Sequence, residues 1–188
     1  ACPDDAWCAG KSGRRKTNEP EPERPLTMNA PFLIRGDALP ALANIPEAPR
    51  EDRPHGMLWG VDLTECATRK QARTAWHDAI AGLKAEFDTV PGIRRVCVAC
   101  LRPRRFPQQA LVRVPAGLAT QLHNDLERDR ARYVNTLVLD VTDCDDPALL
   151  RARLGEALTE PPKWGDLTLT WDDVAESTLH EAWARESL

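Results

Sequence analysis

Two six-residue stretches, VDLTEC at 61–66 and LDVTDC at 139–144, repeat one arrangement: an aliphatic residue, an aspartate, a threonine two positions on, and a cysteine two after that. Two carboxylates at matching positions suggest phosphoryl-transfer chemistry. Held close together, they must either share a proton at a raised pKa or hold a divalent cation between them. Asp62 and Asp140 are therefore the candidate metal-binding pair. A local reading competes with this one. Asp and Thr just past a strand fold back on the backbone, and acids ahead of a helix satisfy its free N–H groups. On that reading Thr64, Glu65, Asp143, Asp145 and Asp146 are turn and cap residues, and Cys66 and Cys144 are small buried side chains.

The stretch CVAC at 97–100 has the spacing of half a zinc site, with Cys2 and Cys8 near the N-terminus available to complete it. Strand alternation resists that reading. Residues three apart in a continuous strand point to opposite faces, so Cys97 and Cys100 reach one metal only if the chain turns at Val98 and Ala99, which are poor turn residues. No cofactor is expected beyond a divalent cation at the aspartates or zinc at these cysteines. The six cysteines are read as reduced thiols, since the chain is long enough to build a core without staples.

The third candidate is LRPRRF at 101–106. Arg102, Arg104 and Arg105 suit phosphate oxygens or the carboxylates of a partner, and the Phe106 ring offers a stacking surface. Six arginines and no acid lie between Arg94 and Arg113, whereas residues 140–188 hold twelve acids against four bases. The net charge of -4 gives no overall attraction to a polyanion, so nucleic-acid binding would have to come from this patch alone. Other signals fail on context. AGKSG at 9–13 lacks the first glycine and the preceding strand of a phosphate loop, the four histidines show no ligand spacing, and no nucleophile-elbow motif occurs.

The elements that must position these residues follow from periodicity. Residues 1–27 balance five acids against five bases with almost no apolar pattern and are expected to form a flexible tail. Residues 28–55 read as an extended lead-in. It holds a short edge strand at APFLIRG and a short helix at DALPALANI capped by Asp37. From residue 56 to 188 one domain is expected. Its first β-α-β unit runs from MLWGVDLT through a helix capped by Thr68 to IRRVCVACL. Its second runs from YVNTLVLDV through PALLRARLGEAL to DLTLTW. The two are joined by a short strand ALVRV and a helix, and a final helix follows at DDVAESTLHEAWARESL.

Two β-α-β units in tandem predict an α+β, ferredoxin-like sandwich with helices on one face of the sheet, the alternative being an open α/β sheet. In the sandwich the first strands of the two units are neighbours about 4.8 Å apart, which would place Asp62 beside Asp140. No apolar run is long enough to span a bilayer and no signal region is evident, so a cytoplasmic protein is expected, and the Arg- and Ala-rich composition suggests a bacterial source. The function expected first is a non-catalytic binding or regulatory module that recognises a protein through an open sheet face and the arginine loop. Nucleic-acid binding by Arg102 to Phe106, and metal-dependent phosphoryl transfer at Asp62 and Asp140, are the alternatives.

Overall fold

The computed structural model describes residues 32–43, 45–47, 54–105, 117–131, 133–159 and 165–186. The expected tail at 1–27, the strand ALVRV and Phe106 lie outside them.

Among the described residues five strands form one sheet: β1 (Phe32–Gly36), β2 (Gly56–Asp62), β3 (Arg95–Leu101), β4 (Asn135–Asp140) and β5 (Asp166–Thr170). Every neighbouring pair is parallel, and the strands lie side by side in chain order. Three helices connect them: α1 (Arg69–Thr89), α2 (Leu118–Arg130) and α3 (Pro147–Thr159). α4 (Trp171–Ala175) and α5 (Leu179–Glu186) follow β5.

The fold is therefore α/β, and it departs from the ferredoxin-like arrangement in two ways. All strands run the same way, and helices lie on both faces. One core joins α1 and α2 to Met57, Val61, Val96, Val98, Cys100 and Val138. The other joins α3, α4 and α5 to Leu58, Cys97, Ala99, Leu137, Leu139, Leu167 and Leu169. The near-continuous apolar runs of β3 and β4 are what a sheet buried on both faces requires. The expected open sheet face is accordingly closed.

Because the strands advance steadily in one direction, helices crossing on opposite faces have opposite hands. The β4–α3–β5 crossover thus differs in hand from those through α1 and α2, although parallel crossovers strongly favour one hand. It also makes the chain leave β3 and β4 towards opposite sides of the sheet.

Local chemistry sets the element ends. Thr68 starts α1 with a reciprocal capping box to Gln71, as its position predicts. Asp146 caps α3, its Oδ1 accepting from the N–H groups of Ala148 at 2.9 Å and Leu149 at 3.0 Å. The lead-in strand is present as β1, at the sheet edge. The short helix after it is a 3-10 turn, Pro40–Leu42, with Leu39 rather than Asp37 at its start. The single C-terminal helix expected from periodicity divides in two. Thr178 begins α5 with its own cap, accepting from the N–H of Glu181 at 3.2 Å while Glu181 receives the Thr178 N–H at 2.9 Å.

Candidate functional site

The two aspartates do not meet. β3 lies between β2 and β4, and it also acts as a ruler: Asp62 is in register with Leu101, Asp140 with Cys100. Neighbouring residues of a strand project to opposite faces, so the two carboxylates leave opposite sides of the sheet. The expected pairing of Asp62 with Asp140 is thereby corrected. Among the described residues no group of three or more His, Cys, Asp or Glu is placed to hold a metal ion.

The echo is a repeated turn. Asp62 Oδ1 accepts from the N–H of Thr64 at 2.9 Å, and Asp140 Oδ1 accepts from the N–H of Thr142 at 2.9 Å. In each copy the cysteine N–H then closes back on the strand end, Cys66 on Leu63 O at 3.0 Å and Cys144 on Val141 O at 3.2 Å. Asp-x-Thr-x-Cys is thus a strand exit, in which the aspartate side chain takes the place of the next backbone acceptor.

The surroundings of the two turns differ. Asp62 is exposed, and its backbone N–H donates to Asp37 Oδ2 at 2.8 Å. Here the segment after β1 folds onto β2. Asp37 N–H donates to Gly60 O at 2.9 Å, and a Cβ on Gly60 would lie 2.1 Å from Asp37 O. Asp140 is buried at the carboxyl end of β4 with Arg102 against it. Arg102 Nε donates to Asp140 Oδ2 at 2.7 Å, and Arg102 Nη2 to Asp143 Oδ2 at 2.6 Å. The Arg102 N–H donates to Thr142 Oγ1 at 2.9 Å, so both ends of the arginine are tied to the turn after β4.

Arg102, expected to grip a ligand from a loop, therefore sits in the core and ties the exit of β3 to the turn after β4. Arg104 and Arg105 follow on an exposed turn, and Arg105 donates to the carbonyl of Cys66, joining that turn to the exit of β2. Sequence reasoning did not find Asp37, Thr142 and Asp143 as partners here. The available signal was charge complementarity between LRPRR, directly after a buried strand, and the acids of DVTDCDD.

Cys97 and Cys100 lie in one unbroken strand and belong to the two opposite cores, so they do not face a common metal. Burial pushes the Cys97 thiol far above its ordinary value. The same burial, and after it the Asp140 carboxylate, does so for Cys100.

Comparison of the chain with family models, with curated proteins and with solved structures returns no match. The site has to be read from its own chemistry. No described helix is long and apolar enough to cross a membrane.

Proposed function

We propose that the protein is a non-catalytic binding module that recognises a protein partner through the loops at the carboxyl end of the sheet, with Arg104 and Arg105 as its cationic contacts. The observation that carries this reading is the clamp of Arg102 on Asp140 and Asp143. It commits the buried carboxylate to a structural bond. It also fixes the base of the turn from which Arg104 and Arg105 project.

The charge around that turn favours a protein over nucleic acid. Exposed Asp37, Asp62, Glu65, Asp143, Asp145 and Asp146 occupy the same end of the sheet as the two exposed arginines. A phosphate backbone would be repelled by most of this surface, whereas a protein surface of mixed charge can match it. Crevices beyond the carboxyl ends of parallel strands are where open α/β sheets place their ligands.

The test is retention of a host protein on the immobilised chain, followed by calorimetry with that protein purified. Arg104→Glu with Arg105→Glu should weaken its affinity by about tenfold or more, while Arg94→Glu, exposed at the opposite, amino end of the sheet, leaves it unchanged. Retention of nothing but nucleic acid, with a gel shift that those two substitutions abolish, would overturn the reading in favour of the polyanion alternative.

A further inference from the structure

α1 and α2 cover the same face of the sheet, and a cavity of about 170 Å³ opens between them. One wall descends α1 at Trp76, Ile80 and Lys84, four residues apart, and the other descends α2 at Leu118, Leu122 and Asp125. Trp76 and Leu122 are core residues, 7% and 3% exposed, so the floor is apolar. Lys84 donates to Asp125, which also accepts from Arg128 Nη2 at 2.9 Å. The charged end of the cleft is therefore matched by its own side chains.

One polar group of the floor stays open. A tryptophan this deeply set ordinarily places its N–H on a partner. The Trp76 indole N–H makes no hydrogen bond among the described residues and, unlike the indole nitrogen of Trp59, is not sealed from solvent. What remains exposed of the residue falls on the cavity that its ring lines. At the rim, His77 and Gln121 are exposed, and their side chains are likewise unengaged among the described residues.

The volume suits one six-membered ring with a small substituent, since an apolar cavity of about 150 Å³ is enough to hold benzene. The indole N–H calls for an acceptor on that substituent, and the Gln121 amide can both accept and donate beside it. Because Lys84 and Asp125 neutralise each other, a charged ligand would lose its hydration without gaining a counter-ion. We propose that the cleft between α1 and α2 is a binding site for a neutral single-ring aromatic compound bearing a carbonyl group, its ring between Ile80, Leu118 and Leu122 and its oxygen on the Trp76 indole N–H. The site lies on the helical flank of the sheet and is independent of the arginine turn.

The test is a titration of the intact chain with benzamide, followed by NMR of the tryptophan indole N–H groups, with Trp76→Phe identifying the resonance by its loss. The Trp76 signal should move downfield and saturate with a Kd on the order of 1 mM, as suits a ligand of this size. Aniline, which lacks the carbonyl acceptor, should bind about fivefold more weakly or worse, and the benzoate anion likewise. Ala81→Phe, at an exposed position of the cavity wall, should fill the space and abolish the shift, and a shift that survives it would place the compound elsewhere and overturn the assignment. So would two results on the wild-type chain that need no variant to fold: no saturable movement of the Trp76 signal up to about 20 mM benzamide, or equal affinity for the three compounds.

Discussion

The Arg102 guanidinium meets Asp140 at 2.7 Å with only 7% and 1% of the two side chains exposed, on the boundary where the chain leaves neighbouring strands in opposite directions. A buried ion pair persists only when the remaining polar atoms are also matched. Here Asp140 Oδ1 takes the Thr142 N–H, and Arg102 Nη2 takes Asp143. The carboxylate that the sequence offers as a metal ligand is held on both oxygens by its own chain.

The two copies of the strand exit should respond differently to the same substitution. Asp62→Asn keeps an acceptor for Thr64 on the surface and should change stability by less than about 0.5 kcal/mol, with Asp62→Ala costing about 1 kcal/mol. Asp140→Asn keeps the turn but leaves Arg102 buried without its carboxylate, and should cost about 3 kcal/mol. Urea denaturation of the three variants checks this. Equal costs at the two positions would mean that the turn alone matters and the clamp does not.

The D-x-T repeat and the helix caps at Thr68 and Asp146 were legible because they are local chemistry, read within four residues. Strand positions were legible too, from the apolar runs. The spatial relation of Asp62 to Asp140 was not. It depends on β3 being inserted between β2 and β4, and on a one-residue difference in register, Leu101 against Cys100, that sends the carboxylates to opposite faces. Periodicity carries no information on either. The role of Arg102 was hidden for a related reason. An arginine after a strand reads as a loop residue unless its buried acidic partner, 38 positions away, is known.

Thiol reactivity should follow burial. Cys97 and Cys100 are held neutral by burial, whereas Cys66 is only partly covered. The thiolate is the reactive form. Iodoacetamide at pH 8 should therefore label Cys66 in the native state and reach Cys97 and Cys100 only in denaturant, as read by peptide mass spectrometry. Zinc bound at the pair predicts the opposite pattern on chelation, with EDTA making Cys97 and Cys100 reactive in the native protein.

The acid limb of stability should carry the contact between α1 and α2. Lys84 donates to Asp125, and that bond, opposed by desolvation and reinforced by the Lys84 and Arg128 charges, holds the Asp125 carboxyl below the usual carboxylate range. A depressed folded-state value means stability that is fully present above the unfolded value, about 3.9, and lost as pH falls through the folded one. The pair is partly exposed, so the amount is about 0.5–1 kcal/mol. Asp125→Asn should lower stability by that amount at pH 7 and by progressively less towards pH 2. A constant loss across the range would place the effect in packing.

Arg102 and Asp140 act as one structural unit that joins the exits of β3 and β4. A double-mutant cycle with Arg102→Met and Asp140→Asn, measured by urea denaturation at pH 7, tests it directly. The clamp predicts a coupling of about 1.5–3 kcal/mol, the double variant being more stable than the sum of the single losses allows. Losses that add to within about 0.5 kcal/mol would contradict it, leaving the Asp140 carboxylate independent of Arg102.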